Sequence, residues 1–194
     1  MPEALNTLWR VFPFDSSAKP GEIFSASGVP SNQGAGRFDI PHVTPVWYFG
    51  ESPTHAVAEV IQGLRNQLLN KADLVRSRKP LALVRAELAT PAIGKHANGV
   101  ADLCNPRVLA EFNIRPDVLA SSDFGATQRI AEDLYKKRLR GFRWWSSLFG
   151  DWHATILFER RLGKNQLRFG TPLPLTLETE AVIQAATRLT IRLP

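Results

Sequence analysis

The chain has 194 residues, 44% hydrophobic and 22% charged, which is enough apolar material for one ordinary domain and too little charge bias for wholesale disorder. Its net charge of +6 admits a nucleic acid or a polyanionic ligand, but the basic residues are scattered except at 136–140, so charge alone specifies no partner. The single Cys104 excludes an intrachain disulfide, no apolar run reaches the roughly 18 residues that span a bilayer, and no signal peptide opens the chain, so a cytoplasmic protein is expected.

Leu8-Trp9-Arg10-Val11-Phe12 alternates and is rich in β-formers, which predicts a first strand stopped by Pro13. Residues 13–36 carry Pro, Gly, Ser and Asn without periodicity and read as a long loop of the functional kind, closed by Gly34-Ala35-Gly36. Two glycines let a backbone approach a ligand closely, although the pattern is too short for a P-loop or a dinucleotide fingerprint. Pro45 to Phe49 predicts a second strand. Ser52 as N-cap and Pro53 at the first helical position predict a helix to about Leu69, with Val57, Val60, Ile61, Leu64 and Leu68 in one stripe. Glu59 lies off that stripe, with His55 one turn earlier, and spacing alone makes it a solvated helix residue.

Arg76, Arg78 and Lys79 form a basic turn before a strand over Pro80–Leu88. Residues 90–125 read as irregular, with a short helix from Pro106 to Glu111. A further helix is predicted over Thr127–Leu139, with Ile130, Leu134 and Tyr135 inward and Gly141 just past its end. The cations of Lys136-Lys137-Arg138-Leu139-Arg140 match the negative end of that helix, which favours a solvated terminus over a nucleic-acid patch. Strands at 142–145 and His153–Phe158 flank a turn at 146–150. A loop over 161–175 holds a short strand at Leu167–Phe169, followed by a helix at Thr179–Ala186 and a last strand through Leu189, Ile191 and Leu193. With no repeat or clear linker, residues 1–194 read as a single α+β domain.

His42, His55, His96 and His153 show no metal-ligand spacing, so no metal site is expected, and no Gly-x-Ser-x-Gly elbow is present. What remains at loop and strand ends is arginine, aromatic, glutamate and serine. An arginine grips a pyrophosphate through two parallel hydrogen bonds, which lysine cannot imitate. An aromatic ring stacks on a flat heterocycle. A carboxylate stabilises an oxocarbenium-like sugar carbon or orients a nucleophile toward it. If the leaving group is nicotinamide, its nitrogen is already cationic, so one carboxylate suffices without a general acid.

At these residues the chain resembles the RES domain family. The resemblance runs through Leu8-Trp9-Arg10-Val11, Gly36-Arg37-Phe38, Val46-Trp47-Tyr48, Glu51-Ser52-Pro53 with Ala56 and Glu59, and Gly141-Phe142-Arg143-Trp144-Trp145-Ser146 up to Phe158. It is strongest over residues 8–160, with 161–194 as a C-terminal extension completing the domain. Phe38-Asp39 stands where the family usually has Trp-Asn, Ser147 beside Ser146 leaves the serine ambiguous by one residue, and His153 replaces a small or amide residue.

The resemblance implies an α+β fold like that of ADP-ribosyltransferase toxins, a core of two small mixed or antiparallel β-sheets with flanking helices. It implies an enzyme that cleaves the nicotinamide–ribose bond of NAD, as a glycohydrolase or phosphorylase, with NAD as substrate and no cofactor. Carried over, Arg37 binds the NAD phosphates or ribose, Tyr48 packs on the nicotinamide side, Glu59 is the catalytic carboxylate, and Ser146 or Ser147 holds the nicotinamide ribose. Arg10 is a weaker candidate for phosphate contact. An antitoxin protein that blocks the pocket and a second copy of the chain are the implied partners, although the departures leave room for a stand-alone relative. Two other readings stay open: ADP-ribosyl transfer to a macromolecule, and a basic nucleic-acid-binding module.

Overall fold

A computed structural model describes residues 7–30, 33–89 and 99–194. His96 and the first part of the stretch read as irregular, residues 90–98, lie outside the described residues. The elements, in order, are β1 (Thr7–Pro13), β2 (Val46–Gly50), α1 (Pro53–Ile61), β3 (Val75–Arg76), β4 (Lys79–Leu88), β5 (Val100–Asp102), α2 (Pro106–Phe112), α3 (Pro116–Leu119), α4 (Phe124–Lys136), β6 (Gly141–Trp145), β7 (His153–Phe158), β8 (Leu167–Phe169), β9 (Leu173–Pro174) and α5 (Glu180–Arg188). This is a mixed α+β fold. The chain divides into two compact units, one built from residues between Val29 and Tyr48 and between Leu88 and Leu167, the other from Thr7–Gly28, Phe49–Glu87 and Arg168–Pro194.

In the first unit the strand order is β2-β7-β6-β5, with β6 antiparallel to β7 and parallel to β5. Alternation along β6 sends Phe142 and Trp144 to one buried face. Phe38 packs edge-on against both rings, each at 4.9 Å between centroids. Leu134 and Ala131 of α4, Ile156 and Phe158 of β7, and Leu109 of α2 complete this core. In the second unit the order is β3-β4-β1-β2, antiparallel where the registers are defined, with β8 and β9 also on β4. There α1 packs on β1 and on α5.

Several boundaries depart from the sequence reading, each for a physical reason. Pro13 stops β1 as expected, but as its last residue, in register with Leu81, a terminal position where the missing N–H costs no ladder bond. The helix α1 stops at Ile61 and tightens into a 3-10 turn over Gln62–Leu64, and Asn66 follows with φ of 63°. Its buried face is therefore His55, Ala56, Val57, Ala58 and Ile61, and Leu68 lies exposed beyond it. The helix α4 begins earlier than Thr127, because the Asp123 side chain accepts from the Ala126 N–H and caps it.

Past α4 the left-handed residue is Arg138, with φ of 63°, and not Gly141. Gly141 opens β6, where an added Cβ would lie 1.9 Å from the Ile156 carbonyl oxygen. The strand β5 and the helix α3, within the stretch read as irregular, were not expected. No last strand forms at Leu189–Leu193. Leu189 and Ile191 are both buried because Thr190 turns the chain with φ of 58°, and only an isolated bridge joins Leu68 to Arg192. Among the described residues, no helix is long and apolar enough to cross a membrane.

Candidate functional site

The arginine-bearing loop of the first unit is held by one carboxylate. Asp39, 5% exposed, accepts at Oδ2 from the amides of Gly34 and Gly36, each at 2.8 Å, and at Oδ1 from the Tyr48 hydroxyl at 2.7 Å. The same hydroxyl accepts from the Phe38 N–H at 3.0 Å. A Cβ on Gly36 would fall 2.7–2.8 Å from the Asp39 carboxylate, so only glycine lets the loop close on it. From α4, Gln128 donates to the carbonyls of Gly36 at 2.9 Å and Gly34 at 3.2 Å, and the Thr127 hydroxyl donates to the carbonyl of Arg37. Gln33 pairs with both backbone groups of Val46 and ties the start of the loop to β2.

The half-buried Arg37 side chain projects from this frame. Its guanidinium donates to the Ser121 carbonyl and lies 5.0 Å from the Phe124 ring centroid and 5.3 Å from that of Trp144. Two π-faces and a carbonyl thus fix a cation that has five donors to offer. Tyr48 shows 39% of its surface with its hydroxyl turned inward. Burial first, and then the Asp39 charge and hydrogen bond, push its phenol well above the usual tyrosine range.

Ser146 follows β6 on the face of Phe142 and Trp144 and is buried. Its N–H donates to the Trp152 carbonyl at 2.7 Å, and its Oγ accepts from the Leu148 N–H at 3.1 Å. Ser147 is exposed.

In the second unit, Glu59 sits on the second turn of α1 with its side chain 37% exposed. Its Oε1 is 3.0 Å from Nε2 of His55, and its Oε2 accepts from Gln62 Nε2 at 3.2 Å. Arg10 is turned inward from β1. It donates to the carbonyls of Ala26 at 3.2 Å and Gly28 at 3.1 Å, and its guanidinium lies 4.9 Å from the Phe12 ring centroid. Burial lowers its pKa to about 10. Among the described residues, no group of three or more His, Cys, Asp or Glu could hold a metal ion.

The RES domain family matches residues 7–178. The chain belongs to the RES domain family. No curated protein sequence matches this RES chain. Among solved structures, the crystal structure of the MbcT–MbcA toxin–antitoxin complex of M. tuberculosis is similar in fold, with a TM-score of 0.60 and 16% identity over 94% of this chain and 88% of that one.

Of the RES residues carried over from sequence, Arg37 and Tyr48 meet through the 36–39 turn, and Ser146 leaves the strand whose Trp144 faces Arg37. Glu59 and Arg10 belong to the second unit. Asp39, Thr127, Gln128 and His55 were missed as working residues. For Asp39 a local signal existed, an aspartate three residues after a glycine whose amide it accepts. Thr127 and Gln128 reach the loop across about 90 residues of chain and left no such signal.

At the basic end of α4, Lys136 is paired with its own helix, its Nζ 2.8 Å from Glu132 and 3.8 Å from Asp133. Lys137 lies 5.7 Å from the Phe112 ring centroid.

Proposed function

We propose that this RES protein consumes NAD by breaking the bond between nicotinamide and its ribose, with water or phosphate as acceptor, and that it is the toxin of a toxin–antitoxin pair. The observation that carries this reading is the posture of Arg37 in a loop locked by Asp39, Tyr48 and α4. Membership of the RES family and a fold like that of the toxin–antitoxin complex support it.

In this reading the Arg37 guanidinium forks onto the phosphates, and preorganisation of its loop spares ordering entropy on binding. The face of Tyr48 packs on the nicotinamide side. Glu59 is the carboxylate of the reaction, its negative charge stabilising the sugar carbon as that carbon gains oxocarbenium character. Nicotinamide leaves as a neutral base from a cationic nitrogen, so no proton need be delivered. Ser146, or the exposed Ser147, meets the ribose hydroxyls. Arg10 stays with the loop carbonyls that it already holds.

The test is free nicotinamide released from NAD by the purified protein, with and without phosphate, beside Arg37→Ala and Glu59→Ala. Release by the wild type, lost in both variants at unchanged thermal midpoints, is expected. A silent wild type in both buffers sinks the reading. A well-folded Glu59→Ala with undiminished turnover removes Glu59 from the chemistry. Labelled NAD that leaves its label on a macromolecule would instead indicate transfer.

A further inference from the structure

We infer that His55 is the positioning residue for the Glu59 carboxylate, an inference that rests on the NAD-cleaving reading above. The local sequence builds this pair. Ser52 caps α1 by accepting from the His55 N–H at 3.1 Å, which fixes the His55 backbone on the first turn. Residues four apart on a helix stack on one face, so the imidazole reaches Glu59 without crossing the core stripe. The ring is only 1% exposed, and its Nε2 lies 3.0 Å from Glu59 Oε1. An ionised carboxylate only accepts, so Nε2 is the protonated nitrogen of this pair.

The ring also has a place made for it. A Cβ on Gly50 would sit 3.1 Å from His55 Cγ and Nδ1 and 2.9 Å from the Ala56 amide nitrogen. Glycine at the end of β2 therefore leaves the volume that the imidazole fills. An aliphatic side chain would pack there at no polar cost, whereas a buried imidazole is tolerated only when it is hydrogen-bonded.

Gln62 holds the other oxygen, Oε2, but from an exposed side chain that gives up rotamer freedom to do so. The buried donor is the one with a single orientation. It restricts, at Oε1, a carboxylate whose side chain is 37% exposed. Angular restraint of this kind acts on the chemical step more than on substrate binding, because the carboxylate is needed where charge develops.

The experiment compares His55→Leu, which fills the volume without a donor, with His55→Gln, whose amide places an N–H near the position of Nε2. Nicotinamide release is followed as kcat and KM, beside wild type and Glu59→Gln. His55→Leu is expected to lose roughly tenfold to a hundredfold in kcat with KM within about twofold, and His55→Gln to recover most of that loss. A Leu variant with wild-type kcat, or a Gln variant no better than Leu, overturns the inference while activity that depends on Glu59 still stands. A silent wild type overturns both this and the reading on which it rests. Should the variants fail to fold, ring-nitrogen NMR of the wild type decides: a protonated Nε2 is expected, and a bare Nε2 overturns the inference.

Discussion

Tyr48 places its hydroxyl 2.7 Å from Asp39 Oδ1 and 3.0 Å from the Phe38 amide nitrogen, so one phenol both donates to and accepts from the loop that carries Arg37. The loop is thereby a preformed part of the strand–loop frame rather than a segment that must order around a ligand.

The first prediction concerns alkaline stability. The Tyr48 pKa is raised by burial and by Asp39, so above the ordinary value of 10.0 the unfolded chain loses a proton that the folded chain keeps. Stability from this site is whole below pH 10 and falls as pH rises beyond it. Tyr48→Phe should cost about 1–2 kcal/mol near neutrality. It should also flatten the decline above pH 10 seen in wild-type denaturant melts. An equally steep decline in Tyr48→Phe would refute the assignment.

The second concerns Gly36. An added methyl must displace the Asp39 carboxylate, which three donors pin in place. Gly36→Ala should cost about 1–3 kcal/mol. It should also lower kcat/KM for nicotinamide release by roughly tenfold or more by moving Arg37. Preserved kcat/KM alongside a lowered melting temperature would separate the loop from function.

The third distinguishes Arg10 from a substrate contact. Its Nη1 donates to the Ala26 and Gly28 carbonyls, so Arg10→Met should destabilise by about 2–3 kcal/mol and raise hydrogen exchange in residues 24–28. At temperatures where the variant is folded, KM for NAD should match wild type. A raised KM with unchanged stability would return Arg10 to the phosphates.

The fourth concerns acid. Asp15 is held well below the ordinary carboxylate range, first by the hydrogen bond from Lys79 at 2.6 Å and then by Ser17. A depressed carboxylate pKa contributes stability above its unfolded value of 3.8 and loses it as pH falls toward the folded value. Wild type should exceed Asp15→Asn in stability at pH 6, with the gap closing as pH falls below 3.8 in acid melts. A gap that stays constant to pH 2 would show that the pair is not the source.

Much of the fold was legible because its signals are local. Ser52-Pro53 marked the start of α1, and β1, β4, β6 and β7 could be read from their residues to within about two positions. Within 99–119 the helix from Pro106 was read, but β5 and α3 were not, because a three-residue strand and a four-residue helix are too short to show a period. Leu189 and Ile191 misled in the opposite sense, since a turn buried both and imitated strand alternation.

The sequence by itself determined the family, through the order and spacing of its arginine, glutamate and serine motifs, and with it the residues worth testing. The tertiary structure alone decided how those residues are held. It made Asp39, read as a departure from the family pattern, the anchor of the Arg37 loop. It buried His55 against Gly50 beside Glu59, and it turned Arg10 onto its own loop. The physical reason is that periodicity reports which face of an element is apolar. A partner that comes from far along the chain, as Thr127 and Gln128 come to the Arg37 loop, is set by where the fold brings a donor to the acceptor, and no local pattern carries that information.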